Sequence, residues 1–464
     1  METNQIKNKI SKLGFYRFGK LNNKYLITNE AGRFILLNPK EFDDLKNGNL
    51  KKETKLYNDL RNNYFLNNDE TIELITRKYR QRNNSLFQGT SLHIVIPTIR
   101  CNYNCVYCQA SSKNIKAKNS DMNKDTAKKT VDFIFSSPSK TITIEFQGGE
   151  PLLNWPIVKF IIEYAKEKNL GAKKNLIITL VSNLSLLDED KYSFFKKHNV
   201  SISTSFDGPE LIHNTNRVWL KNNSYRATVK WINRIKKDRP IGALVTITKL
   251  SLKYPKEIID EYIKQGFNEI HLRPLSFLGL SGKIKDEIGY SAEDFLKFWR
   301  KSMDYIIDLN IKNKYISERS SKIILKKILT DNDANYLDLR SPCGAAIGQL
   351  AYNFDGKIYT CDEGRMLQDD TFLLGDVNKN YKEIMSNPTV ATVCMASILE
   401  NLTCDYCVYK PYCGTCPVQN YALYGNLFPP MTNNDRCKIQ KGMFEYLFKK
   451  IQDKKVMEIF KKWV

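Results

Sequence analysis

The chain has 464 residues, 42% of them hydrophobic, and its 72 Lys and Arg against 50 Asp and Glu give a formal net charge of +22. This length exceeds the size at which one hydrophobic core stops growing, so we expect two or three domains. The first residues lack the charged and then apolar pattern of a signal peptide, and no apolar run reaches membrane-spanning length, which argues against a secreted or membrane protein.

The positive charge has two interpretations. A basic surface can bind nucleic acid, but these lysines are dispersed among asparagines and isoleucines and form no stripe with stacking aromatics. We therefore expect no nucleic-acid and no membrane partner, and a cytoplasmic location. The eleven cysteines of such a chain favour metal ligation in a reducing compartment over disulfides.

Residues 1–89 contain no cysteine and form the first predicted module. Three strand-like segments, at 16–21, 24–28 and 33–37, are separated by good turn sequences, and Asn38-Pro39 then begins a predicted helix. This order resembles the small winged-helix domains that recognise leader peptides by adding a strand to a sheet edge. The alternative is a cap that packs on the barrel predicted next.

Residues 90–280 alternate strand-like and helix-like periods six times. Six β-α units predict a parallel sheet with helices outside it, and a site at the carboxyl ends of the strands. The predicted strands lie at residues 92–97, 141–147, 176–183, 200–207, 242–249 and 269–274.

The first cysteine group, Cys101-x3-Cys105-x2-Cys108, directly follows the first predicted strand. Three thiolates on one loop can hold three irons of a 4Fe-4S cube and leave the fourth iron without a protein ligand. A zinc loop is the alternative, but zinc requires a fourth ligand and paired knuckles, and no second pair lies nearby.

Polar residues follow several of the other strands. The segment Gln147-Gly148-Gly149-Glu150-Pro151 ends the second strand, and Ser182, Ser205 and Arg273 lie near the ends of the third, fourth and sixth. Glycines let backbone carbonyls approach a ligand, and a carboxylate can pair with an ammonium group. Asp207-Gly208 is also explained as turn chemistry alone. The four histidines show no metal-ligand pattern and are expected to be structural: His93, His198, His213 and His271.

A second cysteine group follows a predicted helical bridge at residues 281–340. It is also compatible with a zinc ribbon, because such pairs bind zinc readily. Cys394 stands apart from the pattern and is expected in the apolar core. The group comprises Cys343, Cys361, Cys404, Cys407, Cys413, Cys416 and Cys437.

The run from Arg100 to Cys108 resembles the cluster loop of radical S-adenosylmethionine (SAM) enzymes, including Tyr107 before the third cysteine. The resemblance implies an α/β fold with an open partial (β/α)6 barrel. It also implies a 4Fe-4S cluster that binds SAM and, when reduced, cleaves it to a 5′-deoxyadenosyl radical. The implied SAM-binding residues are Tyr107, Gln147, Gly148, Gly149, Glu150, Ser182, Ser205 and Arg273.

The second cysteine group resembles the SPASM extension of radical SAM peptide-modifying enzymes, in which cysteines hold two auxiliary 4Fe-4S clusters. The spacing departs in one place: two residues separate Cys413 and Cys416, where the family more often has three. The implied outer cluster takes Cys404, Cys407, Cys413 and Cys437.

The implied inner cluster takes Cys343, Cys361 and Cys416, which leaves it one thiolate short. Either its fourth iron is open to an exchangeable ligand or an oxygen ligand fills the place. Asp362 is the implied general base for oxidation at carbon, and an ion pair with Arg365 or a turn cap is its alternative role. Glu363 is the second candidate.

Four segments, at residues 25–34, 105–111, 361–367 and 410–417, resemble the His-Xaa-Ser-system radical SAM maturases (HxsB type). This implies an oxidoreductase that modifies and cross-links a ribosomally made precursor peptide, together with a second maturase and a flavodoxin or ferredoxin as electron donor. The alternatives are a formylglycine-type sulfatase maturase and a non-catalytic zinc-bound scaffold. The expected domains are 1–89 (peptide recognition), 90–280 (barrel), 281–340 (bridge), 341–440 (SPASM) and 441–464 (terminal helix).

Overall fold

The N-terminal module is a three-stranded antiparallel sheet followed by helices. The computed structural model describes residues 13–220, 222–367 and 369–464. The strands lie within the three predicted segments, and Asn38 begins the first helix with a capping box that includes Glu41. The strands are Arg17–Leu21, Lys24–Thr28 and Phe34–Leu37, and the helices are Pro39–Lys46, Lys55–Asn62 and Asp69–Asn83.

This module packs on the cysteine-rich region, which contains the second cysteine group from Cys343 to Cys437. The sequence analysis had instead given packing on the barrel as the alternative role of the module. Arg17 is buried and forms ion pairs with Glu30 at 2.5 Å and with Asp405 at 2.9 Å. The Thr28 hydroxyl donates to the carbonyl of Val408 at 2.8 Å. The module is therefore attached to the segment that carries Cys404 to Cys413.

The main sheet has nine strands, of which six parallel neighbours follow one another in chain order. Helices connect them, as the alternating periods predict. The six strands are Leu92–Val95, Thr141–Phe146, Asn175–Val181, Ser201–Ser205, Gly242–Thr246 and Leu272–Arg273. The helices are Lys124–Phe135, Trp155–Ala172, Glu189–Lys197, Glu210–Asn216, Ser224–Lys236 and Pro255–Lys264.

The sixth predicted strand is shorter and more divided than the sequence indicates. Leu272–Arg273 pairs with the main sheet, whereas Glu269–Ile270 pairs with Ser317–Glu318 in a separate two-stranded sheet. The chain therefore changes partners at His271, and the helical bridge gains a short strand that its periodicity does not reveal.

The main sheet continues beyond the barrel into the cysteine-rich region, which the sequence analysis did not anticipate. Gln349–Tyr352 pairs in parallel with the first barrel strand, and Lys357–Tyr359 and Leu373–Asp376 extend the sheet in antiparallel fashion. At this junction the ring of fully buried His93 lies 2.8 Å from the Tyr352 hydroxyl. Burial lowers the pKa of His93 to about 3, so it is neutral and structural, as predicted.

Helices of the bridge and the C-terminus pack together behind the barrel. Gly442 allows this approach, since a Cβ there would lie 2.5 Å from Leu296. Within the described ranges, no helix is long and apolar enough to cross a membrane. The remaining main helices are Ala292–Ile311, Arg319–Leu329, Pro388–Ala396, Pro417–Tyr424, Asp435–Lys450 and Lys454–Lys461.

Replacing Arg17 by Ala is expected to loosen the contact between the N-terminal module and residues 404–413. Removing one partner of a buried ion pair costs about 3–5 kcal/mol, and less here because both carboxylates are half-exposed. We expect amide hydrogen exchange in 404–413 to accelerate at least about tenfold. Lys20→Ala, an exposed change on the same strand, should leave it unaltered, and equal exchange in the two variants would contradict this account of the docking.

Candidate active site

The first cysteine loop leaves the main sheet at the carboxyl end of Leu92–Val95. Two short pairings hold it: Arg100–Cys101 with Lys113–Asn114, and Asn104–Cys105 with Arg217–Val218. The Arg100 guanidinium pairs with Asp121 at 2.6 Å and donates to the Leu153 carbonyl at 3.1 Å. The backbone on both sides of Cys101 is therefore fixed.

The three thiols of this loop influence one another. Burial and the neighbouring Cys105 raise the pKa of Cys101. Burial also raises the pKa of Cys105 to about 11, with a further contribution from Cys108 and an opposing one from Arg217. The ionised forms of these buried thiols repel one another, so they need a positive charge nearby to be stable. The iron core of a metal cluster supplies such a charge and binds thiolates.

Within residues 13–220, 222–367 and 369–464, no three His, Cys, Asp or Glu side chains are arranged to hold a single metal ion. In a cube each thiolate binds its own iron, so the fit of the loop to a 4Fe-4S cluster rests on its donor set.

The predicted Gly-Gly turn packs directly on the cysteine loop. The N–H of Gly149 donates to the Thr98 carbonyl at 3.1 Å, and the N–H of Glu150 donates to the Arg100 carbonyl at 2.7 Å. A Cβ on Gly149 would lie 2.0 Å from the Arg100 oxygen, and one on Gly148 would lie 2.3 Å from the Thr98 oxygen. The glycines are thus required for this close approach between two backbone segments.

Glu150 is fully buried and ties the second strand end to the third. Its carboxylate accepts from the Ser182 hydroxyl at 2.9 Å and from the N–H groups of Asn183 at 2.8 Å and Leu152 at 3.1 Å. Burial raises the pKa of Glu150, and these hydrogen bonds oppose the rise. Three of its roughly four acceptor positions are therefore used, and ammonium binding by Glu150 stays a prediction.

The other predicted SAM-binding residues lie at strand ends. The Gln147 amide donates to Glu145 at 2.6 Å, and the Thr179 hydroxyl donates to the same carboxylate at 3.1 Å. Ser205 is the last residue of Ser201–Ser205 and is half-buried. Burial raises the pKa of Glu145, and the negative charge of Asp362 raises it further. Asp362 therefore lies near this strand, although it belongs to the cysteine-rich region.

Tyr107 belongs to a buried network that the sequence did not disclose. Its hydroxyl donates to Asp207 at 2.7 Å and accepts from Arg217 at 2.9 Å. The Nε of Arg217 is buried and has no hydrogen-bond partner among the described residues. Burial raises the pKa of Asp207 to about 6, and Arg217 opposes this rise. Asp207 is therefore more than a turn residue.

Arg217 is the functional candidate that the sequence analysis missed. It follows the helix Glu210–Asn216, ten positions after Asp207, so no short motif joins it to the cysteine loop. Only the pairing of Arg217 with Cys105 places its charge there. The sequence signal that could have found it is a lone arginine after the Asp207-Gly208-Pro209 turn.

The structure brings the second cysteine group together in two sets. Cys343, Cys361 and Cys416 line one small cavity. Burial raises the pKa of Cys413 to about 12, with contributions from Cys407, Cys437 and Cys404, so these four thiols lie near one another. Both sets match the predicted inner and outer ligands, whose cluster binding remains a prediction.

Cys394 is half-buried rather than in the core, which corrects our expectation. It lies on the helix Pro388–Ala396, which buries Val390, Val393 and Ala396, so the side chain after Val393 points to the flank of that face. It is also not among the residues that line the cavity of Cys343.

Asp362 and Glu363 have different surroundings. Asp362 is buried and accepts from Arg365 at 2.9 Å, which is the alternative role expected from the sequence. Glu363 lies 3.9 Å from Arg273, at the end of the sixth barrel strand. Burial raises the pKa of Glu363 to about 7, and the charges of Asp338 and Asp362 add to the rise. Glu363 thus has a carboxyl that can take or release a proton near neutral pH, and it stays the second candidate beside Asp362.

A cavity of about 220 Å³ lies where the barrel strand ends meet the bridge and the C-terminal helix. Arg273, Asp338 and Arg436 are among its charged lining residues, and apolar side chains such as Leu275 and Met443 provide much of the rest. The Nε of Arg436 is buried without a partner among the described residues. This cavity offers both apolar contact and hydrogen-bond donors to a ligand.

Residues 95–262 match the model of the radical SAM superfamily, a range that contains all three cysteines of the first loop. The chain belongs to the radical SAM superfamily. Radical SAM enzymes use SAM and a 4Fe-4S cluster, and Cys101, Cys105 and Cys108 are the residues that fit this cluster. The chain is therefore an enzyme.

Two characterised relatives align over most of this radical SAM chain. The radical SAM cyclopropyl synthase TigE of Paramaledivibacter caminithermalis is 23% identical over 466 residues, covering 96% of this chain and 90% of TigE. A cysteine-type anaerobic sulfatase-maturating enzyme of Clostridium novyi is 25% identical over 375 residues, covering 77% of this chain and 95% of that protein.

Solved structures share the fold. Native anSMEcpe with bound AdoMet superimposes with a TM-score of 0.67 at 19% identity and covers 80% of this chain and 99% of its own. Streptococcus suis SuiB bound to its precursor peptide SuiA superimposes with a TM-score of 0.54 at 15% identity, covering 90% of this chain and 98% of SuiB. The chain thus shares the α/β fold of these solved structures.

Gly149→Ala is expected to disrupt the cysteine loop of this radical SAM enzyme. The added Cβ cannot coexist with the Arg100 carbonyl 2.0 Å away, so the loop must shift. We expect the reconstituted variant to lose about four irons per chain, the content of one cube, together with SAM cleavage. Gly171→Ala is the matched control, because its Cβ would meet nothing within 4 Å. Full iron content in the Gly149 variant would contradict this role for the contact.

Proposed function

We propose that this enzyme is a maturase that cleaves SAM reductively and oxidises a ribosomally made precursor peptide. The observation that carries the proposal is the contact between Glu363 and Arg273, 3.9 Å apart. It joins the segment after Cys361 to the end of a barrel strand. A second set of redox-competent thiols therefore lies beside the mouth of the barrel where SAM chemistry takes place.

Different residues around the first cysteine loop are proposed to bind the cluster and to bind SAM. Cys101, Cys105 and Cys108 hold the cluster, and the bound cluster and SAM together supply a radical that removes a hydrogen atom from the substrate. The guanidinium of Arg217, whose Nε has no partner among the described residues, fits the SAM carboxylate. Gln147, Gly148, Gly149, Glu150, Ser182, Ser205 and Arg273 complete the proposed SAM-binding set.

Oxidation of a carbon centre releases one proton and one electron after the hydrogen atom has left. Asp362 is the proposed proton acceptor, because the ion pair with Arg365 holds it in place beside the barrel. Glu363 is the second candidate. Auxiliary clusters would accept this electron when bound; Cys343, Cys361 and Cys416 would hold the inner one, and Cys404, Cys407, Cys413 and Cys437 the outer one. A flavodoxin or ferredoxin resupplies the first cluster.

The N-terminal module is the proposed site of leader recognition. Its sheet has two edge strands, Arg17–Leu21 and Phe34–Leu37, and an extended peptide can add to such an edge. The similarity to SuiB, whose structure contains its precursor peptide, supports this proposal. The four segments that resemble the His-Xaa-Ser-system maturases, at residues 25–34, 105–111, 361–367 and 410–417, favour a precursor with His-Xaa-Ser repeats. They also favour a second radical SAM maturase as partner.

Sulfatase maturation is the second candidate function. The relative from Clostridium novyi, which acts as a sulfatase-maturating enzyme, favours it. That relative aligns with 77% of this chain, whereas the cyclopropyl synthase TigE aligns with 96% of it, and we therefore prefer the first candidate. The non-catalytic zinc-bound scaffold does not fit a chain of the radical SAM superfamily, whose members are enzymes.

The proposed function is tested with anaerobically reconstituted full-length protein, SAM, a strong reductant and synthetic peptides. With a His-Xaa-Ser precursor we expect 5′-deoxyadenosine and a peptide product about two mass units lighter, because oxidation removes two hydrogens. Turnover of a sulfatase peptide instead would favour the second candidate. A protein that binds zinc and yields no 5′-deoxyadenosine would refute the proposed function. The variant with Cys101, Cys105 and Cys108 all replaced by Ala is the negative control.

Asp362→Asn is expected to separate SAM cleavage from product formation. The amide cannot take a proton, so the peptide product should decrease by about a hundredfold or more while 5′-deoxyadenosine still forms. Asp370→Asn, an exposed change in the same region, should retain both activities. If Glu363→Gln shows the separation and Asp362→Asn does not, Glu363 is the proton acceptor.

A further inference from the structure

The inner cysteine set has three thiols, and the structure adds two carboxylates to them. One small cavity is lined by Cys343, Cys361 and Cys416 together with Asp338 and Glu363. No cysteine occurs between Cys343 and Cys361. Among the described residues no further thiol lines this cavity, so a fourth ligand from its lining would come from Asp338 or Glu363.

Two glycines fix the segment of Asp338 against two of these cysteines. A Cβ on Gly344, next to Cys343, would lie 2.3 Å from the Leu337 side chain. A Cβ on Gly414, two residues before Cys416, would lie 2.7 Å from the Asp338 carbonyl. That carbonyl also accepts from the Arg436 guanidinium at 3.0 Å. The backbone of Asp338 is thus held by both turns that carry ligands.

The carboxylate of Asp338 is available to a metal. Within the described part of the chain it makes no ion pair shorter than 4.0 Å. Glu363, in contrast, is directed to Arg273 at 3.9 Å. Carboxylate oxygen is an established ligand for iron in proteins, and replacement of cysteine by another ligand is known in iron–sulfur centres.

We propose that Asp338 supplies the fourth ligand of the inner auxiliary cluster through a carboxylate oxygen. The inference rests on the proposed role of Cys343, Cys361 and Cys416 in binding that cluster. Asp338 also lines the larger cavity of about 220 Å³. The one ligand that is not a thiolate therefore lies between the inner cysteines and this larger cavity. An oxygen ligand there is more readily exchanged than a thiolate.

The test uses full-length protein in which Cys101, Cys105 and Cys108 are replaced by Ala, so that only auxiliary clusters contribute to the spectra. The chain is reconstituted with 57Fe and sulfide and examined by Mössbauer and EPR spectroscopy. With Asp338 present we expect about eight irons, one of them with the higher isomer shift of an oxygen-bound site. Asp338→Ala should lose about one iron and show a 3Fe-4S signal on oxidation.

Asp338→Cys tests whether the iron lost in Asp338→Ala is due to misfolding. It should restore the full iron content and remove the distinct iron site, because all ligands of the cluster are then thiolates. Cys394→Ala should leave the spectra of the parent unchanged, and Glu363→Gln should keep the 3Fe-4S signal absent.

The outcomes separate the inference from the proposed function. If Asp338→Ala leaves iron content and spectra unchanged, or if Glu363→Gln or Cys394→Ala produces the 3Fe-4S signal instead, the assignment of Asp338 is wrong. If replacing Cys343 and Cys416 by Ala removes no iron from the parent, no inner cluster exists and the proposed auxiliary role fails as well.

Discussion

The contact between Gly149 and the carbonyl of Arg100 is the constraint on which the active site depends. A side chain at position 149 would overlap that oxygen, so the second strand end and the cysteine loop can join only through glycine. The N–H of Glu150 then bonds the same carbonyl, and its buried carboxylate holds Ser182 and Asn183. One turn thus holds three neighbouring strand ends in place beside the three cysteines of the loop. Such rigidity favours a reaction that depends on the placement of its reacting groups.

The main sheet also connects the barrel to the cysteine-rich region. Gln349–Tyr352 pairs with the first barrel strand, so the segment between Cys343 and Cys361 is hydrogen-bonded to the strand that precedes the cysteine loop. The two cysteine groups therefore cannot move independently as separate rigid domains would. The 220 Å³ cavity lies next to this arrangement, with Arg273 from the barrel and Arg436 from the C-terminal helix among its lining. A peptide bound there would contact both halves of the enzyme.

The local patterns of the sequence were sufficient for much of the fold. The alternating periods located five of the six barrel strands closely, and the turn sequences located the N-terminal sheet, because these signals depend on neighbouring residues. The sixth strand was only partly right, since the partner of Glu269–Ile270 is a strand from the bridge, and pairing across such a distance leaves no local trace. The docking of Arg17 on Asp405 was hidden for the same reason.

For the site, cysteine spacing predicted which cysteines lie near one another, whereas their surroundings required the structure. Arg217 reaches Cys105 through strand pairing, and Asp338 reaches the inner cysteines through the close approach of two glycine turns. Neither residue belongs to a short motif. Cys394 was misplaced because its apolar neighbours suggested a buried residue, although a helix buries only one of its faces.

The central claim is that the site around Cys101, Cys105 and Cys108 removes a hydrogen atom from a peptide. It is tested most directly by incubating the anaerobic enzyme with SAM, a reductant and a deuterium-labelled precursor peptide, and by measuring deuterium in 5′-deoxyadenosine by mass spectrometry. The account predicts that one deuterium moves from the peptide to 5′-deoxyadenosine in step with formation of the oxidised peptide. Oxidised peptide formed without any deuterium in 5′-deoxyadenosine would contradict it.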